Sequence, residues 1–272
     1  MTDSADQQNS SRSIRQLPRN VWAVGFTSMF MDISSEMVLN ILSLFLSNVL
    51  AVPTSIIGLI DGVAEATASI LKLFSGWFSD RIGGRKWLAV IGYGISALSK
   101  PFFYFANSWG LVAGVRWADR VGKGVRTAPR DALVADSVTA KTRGLAFGFH
   151  RAMDTGGAML GILIASGVVW LTQKNDLLLS RSTFQTIVLI SLIPAILAVL
   201  TLALGAKEVG VKGQRAAPSI SLKSMGKPFS IFLVIVSIFT LGNSADSFLV
   251  LRAQNLGLSV LGILLMLAVF NL

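Results

Sequence analysis

Gly76-Trp77-Phe78-Ser79-Asp80-Arg81-Ile82-Gly83-Gly84-Arg85-Lys86 sets four charges and three glycines between two long apolar segments. Neither a helical nor a strand period continues through it. A charged, glycine-containing stop of this kind reads as a short turn where the chain leaves one membrane crossing and enters the next. The flanking segments lie near 54–79 and 87–107. Others follow the same pattern near 21–50, 109–135, 144–171 and 183–205, with a seventh near 229–251 and an eighth beginning near 257. Each complete segment has about 20 residues or more, enough to cross roughly 30 Å of hydrocarbon at about 1.5 Å per residue. The expected fold is all-α, a polytopic membrane protein.

Composition agrees with that reading. Apolar residues make up 53% of the 272 and charged residues only 14%, and the mean hydropathy is +0.66, far from a globular average. Cysteine is absent and His150 is the single histidine, so disulfides, thiolate chemistry and multi-histidine metal sites are excluded. No metal or cofactor is expected. No Ser/His/Asp constellation stands out either, so the chain is not expected to be an enzyme. The net charge of +10 does not mark a nucleic-acid partner, because the bases lie in short loops rather than on one face of a soluble domain.

Those loops orient the chain. Arg12, Arg15, Arg19, Arg81, Arg85, Lys86, Lys141, Arg143, Lys207, Lys212, Arg215, Lys223 and Lys227 fall on one side, against Lys174, Arg181 and Arg252 on the other. The excess marks the cytoplasmic side and places the N-terminus there. Trp22, Trp87, Trp109 and Trp170 sit at segment ends, as an interfacial aromatic belt requires. Residues 1–19 read as a disordered cytoplasmic tail, 20–205 as a six-helix bundle, 206–228 as a cytoplasmic linker, and 229–272 as the start of a second bundle.

The crossings carry ionisable residues: Asp32 and Glu36 on the first, Asp61 and Glu65 on the second, Arg116, Asp119, Arg120 and Lys123 on the fourth, Asp154 on the fifth and Asp246 on the seventh. Facing lipid, each would cost roughly 2.5–3.5 kcal/mol on an insertion scale, so they must face protein or water. Helical spacing puts Asp61 and Glu65 on one face, and Arg116, Asp119, Arg120 and Lys123 on one arc. Asp32, Glu36, Asp61 and Glu65 are candidate proton carriers, since a buried carboxyl group can exchange a proton. Arg116, Arg120 and Lys123 either bind an anionic solute, tune those carboxylates, or form a structural network. Lys100, ahead of Pro101, is expected to snorkel or to mark a kink. Gly157-Ala158-Met159-Leu160-Gly161 is a close-packing pattern.

The turn resembles the loop between the second and third helices of the major facilitator superfamily, G-x-x-x-D-R-x-G-R-[RK]. Gly76, Asp80, Arg81, Gly83, Arg85 and Lys86 carry the likeness. Ser34-Ser35-Glu36, the string from Asp119 to Asp131, and His150-Arg151-Ala152-Met153-Asp154 look like a bacterial branch of that superfamily. The resemblance implies two six-helix halves around a midplane cavity lined by helices one, two, four and five, and a loop that locks the halves in one state. Two halves need roughly 400 residues, so the chain is expected to be a C-terminally truncated member, ending inside its eighth helix. The family pattern in helix four places Gln-Gly where Asp119-Arg120 stands here. The implied function is secondary active transport of a small solute, coupled to protons, by alternating access. The alternative is a non-transporting scaffold or half-bundle that assembles with another chain.

Overall fold

Prolines, glycines and serines set where the helices begin and end. The computed structural model describes residues 14–174, 176–209, 226–242 and 245–271. Most of the expected tail (1–13) and linker (210–225) lies outside them. Pro18 precedes α1 (Arg19–Leu44) and Pro53 precedes α2 (Thr54–Ile82). A proline there costs no hydrogen bond, because first-turn N–H groups have no intrahelical acceptor. α1 runs directly into a π-helical turn, Phe45–Val49. α2 stops at Gly83, whose φ of 71° is the left-handed conformation that glycine adopts without penalty.

α3 (Arg85–Ser99) begins two residues later. The turn is therefore only Gly83-Gly84, and the charged stretch before it is helical to Ile82. The third crossing is not one helix to residue 107. It tightens into a 3₁₀ turn at Lys100–Phe103, because Pro101 cannot donate the next α-helical bond. Ser108 caps α4 (Trp109–Asp136) by accepting from the Leu111 N–H at 3.4 Å. α5 spans Arg143–Thr172. Ser180 caps α6 (Arg181–Gly205) through the Thr183 N–H at 3.2 Å.

The seventh segment, expected as one helix over 229–251, forms two: α7 (Gly226–Leu241) and α8 (Asp246–Asn255). Hydropathy runs smoothly across this region, but Gly242 lacks the side chain that favours helix. Asn243 and Ser244 lie outside the described residues. α9 (Val260–Phe270) follows Ser259, which accepts from the Gly262 N–H at 3.1 Å.

The molecule is inside-out by the standard of a soluble protein. Leu73, Leu98, Leu171 and Leu204 are more than 70% exposed, while Lys100, Arg116, Asp119 and Arg120 are at most 7% exposed. Three helical stretches are by themselves long and apolar enough to cross a membrane: Arg19–Val49, Arg143–Thr172 and Arg181–Gly205. α2 and α4 are as long, but their polar stripes lower the hydropathy that the bundle hides inside. Trp87, Trp109 and Trp170 stand exposed at helix ends, suited to a headgroup layer. The fold is an all-α, multi-pass membrane bundle.

Helix pairing has an internal symmetry. α1 packs on α5 and α6, α4 packs on α2 and α3, and α3 meets α6. Exchanging α1–α3 for α4–α6 maps this set of contacts onto itself, as two inverted three-helix repeats do. Glycines permit the closest approaches. A Cβ on Gly157 would lie 2.5 Å from the Met29 carbonyl oxygen, and one on Gly161 2.5 Å from that of Ile33. The obstacles are backbone atoms, which cannot rotate away. Gly157→Val is therefore expected to cost about 1–3 kcal/mol through overpacking of the α1–α5 contact. A lower thermal midpoint and loss of monodisperse protein in detergent check it.

Candidate functional site

Asp61 and Glu65 are four residues apart on α2, as are Arg116 and Arg120 on α4. An interval of four brings side chains to one helix face about one turn apart, so two neighbouring helices can meet rung to rung. Arg116 Nε donates to Asp61 Oδ1 at 3.3 Å, and its NH2 lies 3.6 Å from Glu65 Oε1. Arg120 NH2 lies 2.8 Å from the same Glu65 oxygen. Ser247 of α8 donates to Asp61 Oδ2. Opposite charges thus offset the desolvation that either ladder would suffer alone.

The ladder forms one wall of a cavity of about 330 Å³. α1 adds Glu36, Leu39, Asn40 and Ser43, and α8 with the residue before it adds Ala245, Asp246, Ser247 and Val250. Glu36 Oε2 accepts from Asn40 Nδ2 at 2.9 Å. Glu36 and Asp246 have no basic group within ion-pair distance among the described residues, whereas both arginines have acidic partners. The cavity therefore joins two neutralised carboxylates, two that are unpaired, and a guanidinium face. Such a site can bind a polar solute or hold an exchangeable proton.

The other expected site residues lie elsewhere. Asp32, one turn from Glu36 on α1, makes no hydrogen bond or ion pair among the described residues. Lys123 is exposed and outside the cavity lining, since its place on the α4 arc falls beyond the ladder. Asp119 is 3% exposed and turned away from the cavity. Lys100 does not snorkel. It is 2% exposed and reaches into the bundle, donating to Ser34 Oγ at 2.5 Å and Ser35 Oγ at 3.1 Å on α1.

Asp154 joins a separate polar cluster. His150 Nδ1 lies 3.6 Å from Asp154 Oδ2, and Ser28 Oγ meets His150 Nε2 and Tyr93 OH at 2.9 Å each. Arg130 NH1 donates to the same Ser28 oxygen at 3.2 Å. α5 therefore contributes to this cluster and not to the cavity lining, which comes from α1, α2, α4 and α8. Sequence reasoning passed over Ser28, Tyr93, Ser43 and Ser247. Neutral polar residues carry no insertion penalty large enough to mark them.

At the α2–α3 turn, Arg85 is buried and bonds Asp80, the Ala132 carbonyl oxygen at 3.0 Å and Asp136. Glu208, beyond α6, accepts from the Arg85 N–H at 2.9 Å and the Lys86 N–H at 3.1 Å. A carboxylate at a helix N-terminus is favourable to the macrodipole and to otherwise unpaired N–H groups. Gly76 lies near Ala128 of α4, where an added Cβ would come within 3.3 Å. Arg81 is exposed over the Trp77 ring at 5.5 Å.

Comparison with known proteins bears on this arrangement. A family model described as Major Facilitator Superfamily matches residues 24–272. An uncharacterised MFS-type transporter of Methanocaldococcus jannaschii is 34% identical over 247 residues, covering 91% of this chain and 60% of the relative. An uncharacterised protein of Mycobacterium tuberculosis is 34% identical over 118 residues, 43% of this chain and 29% of that protein. The chain thus spans less than two thirds of the length of the relatives it matches. Among solved structures, a bacterial homologue of the human lysosomal transporter Spinster, inward-facing and occupied, superposes with a TM-score of 0.70 at 18% identity. The superposition covers 90% of this chain and 56% of that one, a likeness of fold. A family match over residues 24–272, on a bundle whose charges turn inward, places the chain in the Major Facilitator Superfamily.

Proposed function

We propose that the chain is part of a secondary active transporter that moves a small solute by alternating access, with protons as the coupling ion. The observation that carries this reading is the cavity itself: unpaired Glu36 and Asp246 face a polar chamber inside a membrane bundle. Such carboxylates are costly unless they serve a passenger. Glu36 comes from α1 and Asp246 from α8, so the chamber lies between residues 20–205 and 229–272, the two units read as separate bundles. Contacts between these units include Gln254 Nε2 to the Leu177 carbonyl oxygen at 2.6 Å and the Val260 N–H to that of Asp176 at 3.2 Å. They lie at the α5–α6 end, opposite the N-terminus. Family membership and the MFS-type relative support transport over a passive scaffold. The excess of loop bases supports an N-terminus on the cytoplasmic side, and the resemblance to a bacterial branch of the family supports an inner membrane.

In this reading Asp61 and Glu65, held by arginines, shape the chamber, and Asp32 and Glu36 carry the proton. Glu36 lines the chamber and exchanges it there, with Asp32 one helical turn away on α1, as the surroundings alternate between the two open states. Glu36→Gln in the full-length protein is expected to abolish solute-coupled proton movement while membrane insertion is unchanged. Proteoliposomes with an internal pH dye measure it. Undiminished coupled flux removes Glu36 from the mechanism.

A further inference from the structure

We propose that the passenger is a zwitterion, its anionic end on Arg116 and Arg120 and its cationic end between Glu36 and Asp246. This rests on the transport reading for the site's purpose, but on the chamber alone for its chemistry. The chamber has four carboxylates, Glu36, Asp61, Glu65 and Asp246, against the two guanidinium groups. Pairing consumes Asp61 and Glu65. The two acids left over are those without a basic partner, so a purely anionic passenger meets net repulsion and a cationic group is welcomed.

The arginines supply the other half. Each guanidinium has five N–H donors. Arg116 spends its Nε and NH2 on the α2 carboxylates, and Arg120 its NH2. Among the described residues, Arg116 NH1 and Arg120 Nε have no hydrogen-bond partner; both atoms are buried while both residues border the chamber, so a rotation of either guanidinium is needed to bring them to its surface. Buried donors left without an acceptor are costly. A carboxylate or similar anion on the passenger would satisfy them, with the planar fork favouring a two-oxygen group. The acids lie on α1 and α8 and the bases on α4, so a zwitterion would bridge three helices. An ion of one sign would engage only one set.

The test is binding to the detergent-purified chain, read as ligand-induced thermal stabilisation and by calorimetry. The probes are ω-amino acids of increasing chain length, each with its matched fatty acid and alkylamine. We expect at least one ω-amino acid to bind roughly tenfold or more tightly than both matched single-charge probes. Asp246→Asn should erase its advantage over the fatty acid, and Arg116→Gln its advantage over the alkylamine. Asp246 has no ion pair among the described residues, so its variant stays interpretable if the arginine variant misfolds. A fatty acid or amine that binds as well as every zwitterion overturns the proposal, as does failure of the whole series to bind. Zwitterion binding with no coupled flux in proteoliposomes would leave this assignment standing and sink the transport reading. Flux of a singly charged solute would do the reverse.

Discussion

Lys100→Met is expected to cost about 3–5 kcal/mol of stability, the range for removing one partner from a buried charge system. The side chain ends at an ammonium group 2% exposed, held by Ser34 Oγ at 2.5 Å, Ser35 Oγ at 3.1 Å and Met31 Sδ at 3.5 Å. None of those acceptors is charged. No acid lies within ion-pair distance of the ammonium among the described residues, and Asp119 on α4 is likewise buried, 3% exposed, with Oδ1 lacking any hydrogen bond. Methionine fills similar volume, so the substitution isolates the charge. It also frees two serine hydroxyls on α1 and removes a buried cation from the bundle that encloses the Asp119 carboxylate. The double variant Lys100→Met/Asp119→Asn should recover a large part of the loss, since the pair then leaves together. Thermal midpoints of the purified protein in detergent decide it. A single variant as stable as the parent, or a double variant no better than the single, would show that Lys100 and Asp119 are not coupled.

Lys100 also shows where sequence reading stops. Its place beside Pro101 near the end of a crossing suggested a side chain reaching for the interface. Snorkelling needs an outward face and a short path to water. The 3₁₀ turn at Lys100–Phe103 instead aims the ammonium at α1, and no local pattern encodes that neighbour. The ladder of Asp61, Glu65, Arg116 and Arg120 was legible as two polar faces, because the bilayer penalises each charge separately. That these faces oppose one another follows only from the α2–α4 contact. Lys123 shares the α4 arc, yet a side chain a turn past the ladder is exposed. Hydropathy found the seventh crossing but averaged over the interruption after Leu241, which brings Asp246 to the chamber at a helix start.

The α2–α3 turn supports a second large effect, and it falls on an acid the turn itself does not contain. Arg85→Ala is expected to cost about 3–5 kcal/mol, because it strands Asp136, whose side chain is only 16% exposed. Asp80, the acid within the recognisable loop pattern, is 53% exposed and sits 3.1 Å from Arg85 NH2. An ion pair with so wet a partner contributes about 1 kcal/mol or less, so Asp80→Asn should leave the isolated chain nearly unchanged. The order of effect is therefore Arg85→Ala far above Asp80→Asn, with Arg85→Gln/Asp136→Asn partly restored. Glu208→Gln belongs between the extremes, at about 1–2 kcal/mol, since it weakens charge-assisted bonds to the Arg85 and Lys86 N–H groups. Thermal midpoints of this series separate two jobs carried by one short motif. Arg85 fastens the ends of α2, α3 and α4 within the bundle. The exposed Asp80 carboxylate remains available to a partner outside it, and an Asp80→Asn midpoint as low as that of Arg85→Ala would refute that division.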